Sequence, residues 1–114
     1  MTYADISDMV ERMGTEIGAP SVYGLFPEGA APEPPYLVFY YPEETPFYAD
    51  DQVYARFAVI YLELYTAQRE LDMELVLERQ LSARHMGWDK QEEYVEEEAL
   101  YMVRYAMTAL LTVD

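Results

Sequence analysis

Residues 53–65, Val-Tyr-Ala-Arg-Phe-Ala-Val-Ile-Tyr-Leu-Glu-Leu-Tyr, are rich in β-branched and aromatic side chains and contain no glycine or proline, so they read as one long strand. Successive side chains of a strand point to opposite sides. One side offers Phe57, Val59, Tyr61 and Tyr65, and the other Ala58, Ile60, Leu62 and Leu64. Apolar residues on both sides predict a central strand covered twice, by a helix on one side and by a partner on the other. Before it, Tyr36-Leu37-Val38-Phe39-Tyr40-Tyr41 is also apolar on both faces, and Pro42 is expected to end it. Glu43 to Asp51 then forms an acidic connector with Phe47 and Tyr48 as exposed aromatics.

Working outward, Ile6, Met9, Val10, Met13 and Ile17 fall on one stripe of a 3.6-residue period, which predicts an amphipathic helix over 3–17. Thr2 can cap it and Asp5 suits its positive end, while Gly14 and Gly18 weaken it and Pro20 bars continuation. Val22 to Phe26 reads as a short strand, and Pro27 to Pro35, with four prolines, as a surface loop. Residues 67–84 are helical by propensity. Met73, Val76, Leu77 and Leu81 mark one face, whereas Leu71 and Leu75 lie well round the cylinder, facing either a second subunit or a wrap into the core. Trp88 to Val95 reads as a polar edge strand, with Glu96-Glu97-Glu98 as its turn. The final stretch, Ala99 to Val113, admits two readings. Helix spacing suits Leu100, Val103, Met107, Leu110 and Leu111, while a strand would put Tyr101, Val103, Tyr105, Met107, Ala109 and Leu111 on one side.

The 114 residues suit one domain, 52% of them hydrophobic, which is too many for intrinsic disorder. The absence of cysteine excludes disulfide frameworks, thiolate metal sites and thiol catalysis. No apolar run approaches the roughly 18 residues of a membrane span, and the N-terminus lacks a signal-peptide pattern, so a soluble intracellular protein with no membrane partner is expected. Twenty-two acids against seven bases give a net charge of −15. Such a field repels nucleic acid and resists compaction unless the excess is useful.

Catalytic chemistry has little to draw on. His85, the only histidine, follows a helix and reads as a C-terminal cap. None of Ser7, Ser21 and Ser82 sits in a glycine elbow, and no phosphate-cradling glycine motif occurs. The acidic pairs and the Glu96–Glu98 run lack the spacing of a calcium loop, and neighbouring strand acids such as Glu92 and Glu93 point apart. No enzyme activity, metal or cofactor is expected. The twelve tyrosines are more telling, because a small core cannot enclose so many rings and tyrosine suits protein contacts.

Taken in order, the leading helix, the short strand, the Pro-rich loop, PPYLVFYY (34–41), the acidic connector, VYARFAVIYLELYTAQRELDMELVLERQL (53–81) and EEYVEEEALYMVRYAMTALL (92–111) resemble the tail terminator, or tail-completion, proteins of long-tailed bacteriophages. The motifs are a proline-flanked strand after Pro34-Pro35, the step FYADD-x-x-Y (47–54), ELYT (63–66) before a helix, and a closing Tyr94-x-x-x-Glu98-x-x-Tyr101-x-x-x-Tyr105. The resemblance spans about residues 2–113. It implies an α+β fold, an antiparallel or mixed sheet of four to five strands with two helices packed on one face, and it makes the closing block a strand. It further implies a homo-oligomeric ring, typically a hexamer, in the virion tail at the head–tail junction, assembled in the host bacterial cytoplasm. Its partners would be the major tail tube protein and a head–tail connector protein, with DNA passing through without adhering. Head-closure proteins of similar size share that setting.

On this expectation the acids Glu43, Glu44, Asp50, Asp51, Glu92, Glu93, Glu96, Glu97 and Glu98 line the channel or the tube-facing rim, and Tyr48, Tyr61, Tyr65, Leu71 and Leu75 serve subunit contacts. The competing readings are an acidic DNA-mimic inhibitor of the anti-restriction or anti-CRISPR type, and a carboxylate-dependent metal enzyme.

Overall fold

A computed structural model describes residues 1–112; Val113, in the expected closing segment, lies outside the described residues. Helix α1 spans Tyr3–Ile17. Thr2 Oγ1 accepts from the Asp5 N–H at 3.1 Å while Asp5 Oδ2 accepts from the Thr2 N–H at 2.8 Å, a reciprocal cap. Ile6, Met9, Val10 and Met13 are buried as the stripe demands, and Gly18, left-handed at φ 71°, ends the helix. Strand β1, Ser21–Tyr23, is shorter than the sequence suggests, because Gly24 turns away at φ 82°.

Strand β2 runs Tyr36–Ala49, and this corrects two expectations. Pro42 does not end the strand, and 43–49 is not a connector but its outer half. The register with β3 slips between Tyr40 and Glu43, so Pro42 sits in a bulge. Parallel β1 pairs β2 only as far as Phe39, which leaves the outer half an edge where a missing N–H is tolerated. Asp50 and Asp51, with φ of 52° and 62°, supply the two left-handed residues of a tight hairpin turn.

Strand β3, Gln52–Thr66, is central in the order β1-β2-β3-β5-β4. Helix α2 is Leu71–Ala83, shorter than 67–84 and without a side-chain cap at Glu70. The His85 N–H donates to the Ser82 carbonyl at 3.0 Å, placing His85 just past the helix end. Strand β4, Asp89–Val95, is the polar edge, and β5, Leu100–Thr112, is indeed a strand. It pairs antiparallel with β3 from Tyr101 to Thr112 and buries Val103, Tyr105, Met107 and Leu111 on one side. Sheet pairing on both edges of β5 overrides its helix-forming residues.

The sheet is therefore mixed, in an α+β fold with both helices on one face. There Ile6, Met13, Leu77 and Leu81 meet Leu37, Ile60, Leu62 and Tyr105 in one core. An ion-pair network centred on buried Glu74 holds α2 to β4. Glu74, 1% exposed, contacts Arg69 Nε at 2.9 Å and Lys90 Nζ at 2.8 Å, and Tyr105 Oη donates to Glu78 at 2.8 Å. Burial alone would raise the Glu74 pKa, but hydrogen bonds from Arg69 and Lys90 hold it below the ordinary value. The opposite sheet face carries only a small cluster of Tyr36, Val38 and Leu100, flanked by Val22, Phe26, Tyr40 and Tyr65.

Candidate functional site

The outer halves of β2 and β3 form an arm. Among the described residues β5 accompanies β3 as far as Ala55, so residues 48–54, with Phe47 at their base, form a two-stranded ribbon beyond the described sheet. The molecule is 50 Å long, and its 14.9 Å radius of gyration exceeds the ~13 Å of a compact chain of this length. Side chains here find no layer to bury them. Tyr48 and Tyr54 are each 68% exposed, with Phe47, Val53 and Phe57 also exposed. Two-stranded ribbons are marginal in water, and clustered exposed rings mark contact surfaces. The base of the arm is braced to α1: Arg56 Nη1 donates to Tyr3 Oη at 3.3 Å, and Tyr3 Oη donates to the Glu44 carboxylate. Tyr3 in turn packs edge-on to Tyr41 at 5.2 Å. Burial, with Tyr23, Tyr3 and Glu44 nearby, pushes the Tyr41 phenol up to about 12.

On the open sheet face lies a polar knot that the sequence reading missed. The Glu63 carboxylate, on a residue 3% exposed, accepts from Tyr40 Oη and Tyr65 Oη at 2.9 Å each and from Arg104 Nε at 2.8 Å. Arg104 also covers the Tyr61 ring at 4.7 Å. Burial and the Glu63 charge raise the phenol pKa of Tyr40 and Tyr65. Register places Glu63 opposite Arg104 and next to Tyr65, so a single acid in VIYLELY meets a single base in YMVRYAM. Lone charges of opposite sign in two apolar strands were the signal that could have found the pair. The knot covers the Glu63 end of this face of β3 with the chain's own groups, while Phe57 on the same face stays exposed.

The remaining proposed contact residues divide accordingly. Tyr61 and Tyr65 are half-buried and engaged within the knot, with Tyr65 stacked on Tyr36 at 5.1 Å. Tyr48, Leu71 and Leu75 are exposed. On α2 the side chains at Leu71, Leu75 and Arg79 recur every four residues, one stripe on the outer surface. Arg79 Nε reaches back to the Leu75 carbonyl at 3.4 Å and makes no ion pair among the described residues.

The acids do not converge on one rim. Asp50 and Asp51 turn the arm tip, while Glu96, Glu97 and Glu98 turn the β4–β5 hairpin at the other end of β3, roughly 45 Å away along fifteen extended residues. Glu43 is exposed on the arm and Glu44 is bound to Tyr3. Glu92 is engaged by Arg69, and Glu93, opposite Met102, is exposed. No group of acids and histidine able to hold a metal occurs among the described residues. No helix among the described residues is long and apolar enough to cross a membrane. Neither the protein-family models nor the curated proteins give a match to this chain.

Proposed function

We propose that this chain is a structural component of a long-tailed phage virion, a tail terminator whose copies form a ring on the tail tube beneath the head connector. The observation that carries this reading is the arm: a ribbon of exposed Phe47, Tyr48 and Tyr54 held clear of a core that is complete without it. A single copy has no use for such a projection, whereas a ring needs two different surfaces per subunit, one to reach and one to receive. The acidic surplus supports a channel past which DNA slides, since like charge keeps the polymer from adhering. With the two acidic turns at opposite ends, only one of them can face a given rim.

The competing DNA-mimic reading draws on the same charge and on the exposure of Glu43, Asp50, Asp51, Glu93 and Glu96–Glu98. It calls for a monomer or dimer that binds a basic enzyme. Neutralising Asp50–Asp51 and Glu96–Glu98 together separates the two. Loss of DNA passage or tube docking in tail assembly is the expected result, and normal virions with full infectivity would overturn the terminator reading.

A further inference from the structure

We infer that the arm of one copy docks along the outer stripe of α2 on the next, with Tyr48 and Tyr54 against Leu71 and Leu75, and the Asp50–Asp51 turn at Arg79. This rests on the ring reading and specifies which surfaces meet in it. Three observations carry it. First, the two patches are exposed and apolar: Tyr48 and Tyr54 at 68%, Leu71 at 58% and Leu75 at 51%.

Second, they lie toward opposite ends of one chain. The arm tip precedes β3, whereas α2 begins just past Thr66, where β3 ends. A surface at one end that fits a surface at the other repeats head-to-tail and cannot be satisfied within one copy.

Third, the charges match where charge is scarce in one sign. Of the seven basic residues, Arg69, Lys90 and Arg104 are ion-paired, Arg56 serves Tyr3 and Arg84 serves Gln80, which leaves Arg12 on α1 and Arg79 on α2 exposed without an ion pair among the described residues. Arg79 stands exposed beside the two leucines with only its own helix carbonyl as partner among the described residues. The arm tip offers Asp50 and Asp51, both exposed, on a two-residue turn that can approach a helix surface closely. Opposite charges across such a contact fix register and exclude like-charged alternatives. Strand addition is a poorer route, because the β2 edge carries Pro42 and Pro46 and the β4 edge carries exposed Asp89, Glu92 and Glu93.

The test exploits the absence of native cysteine. Tyr48→Cys and Leu75→Cys are prepared as separate variants, mixed under mild oxidation and resolved on a non-reducing gel. The docking predicts a 48–75 linked dimer in several-fold excess over a mixture of Tyr48→Cys with Glu97→Cys. Adding Arg79→Glu to the Leu75→Cys chain should cut that yield several-fold, and Asp50→Arg with Asp51→Arg on the other chain should restore it. A yield equal to the control pair, in protein whose mass shows multimers, overturns the docking and leaves the ring standing. A chain carrying both cysteines should give a ladder ending at the ring size. A ladder stopping at two chains keeps the docking and overturns the ring, and no link with monomer mass throughout overturns both.

Discussion

The inner and outer halves of the same hairpin follow different rules. Residues 36–41 and 58–66 of β2 and β3 are buried or half-buried beneath α1, α2 and the Glu63 knot, whereas 42–54 are exposed throughout. Both halves are rich in aromatics, so composition does not separate them. What separates them is what lies alongside: β1 pairs β2 no further than Phe39, β5 pairs β3 no further than Ala55, and among the described residues no element covers the rings of the outer half. Aromatic content thus reports that a strand is built to be covered, and only the neighbouring elements tell whether the cover comes from the chain itself.

That contrast can be broken most forcefully from the inner half. Leu62→Ala, at a fully buried site, should cost about 3 kcal/mol of stability, read as a lowered denaturant midpoint at unchanged slope. Glu63→Gln should cost somewhat less, about 2 kcal/mol, since Arg104 loses its partner but keeps a neutral acceptor and the Tyr61 ring.

Glu74→Gln should cost about 2 kcal/mol at pH 7, because Arg69 and Lys90 are partly exposed and retain Glu92 and Glu78. Its pH dependence follows from the sign of the shift. A carboxyl held below the ordinary 4.5 adds stability above that value and loses it as pH falls through its folded-state pKa. Melting curves of wild type and variant should therefore stay apart at pH 4.5 and converge only as pH falls through that lowered folded-state value.

The outer half should respond the other way. Tyr48→Ser with Tyr54→Ser should change stability by less than about 0.5 kcal/mol while abolishing multimers in light scattering. The smallest effect expected is ionic. Raising salt from 50 to 500 mM should strengthen self-association at constant protein concentration, because subunits of charge −15 repel each other.

Much of the fold was legible in the sequence. The α1 stripe with its Thr2 cap, the long strand at 53–65 and the polar edge at 89–95 follow from periodicity and capping that act within a few residues. Pro42 misled because its cost depends on whether an edge is paired, which is a property of β1 twenty residues earlier. Residues 100–112 carry helix formers, and the ladders with β3 and β4 make them a strand. Of the candidate site residues, Tyr48, Leu71 and Leu75 were found as exposed positions. The engagement of Tyr61 and Tyr65 by the Glu63–Arg104 pair is not legible locally, because the two charges are forty-one positions apart in the chain.

On the proposed reading, copies of this chain close into a ring through the arm. Mass measurement by light scattering over a wide range of concentration, coupled to electron microscopy of the largest species, tests it most directly. Closed particles with a central opening, and a mass that is a whole multiple, near six, of 13.3 kDa, are expected. A particle of 13.3 kDa at every concentration and salt, on its own and with tail tubes, would contradict it.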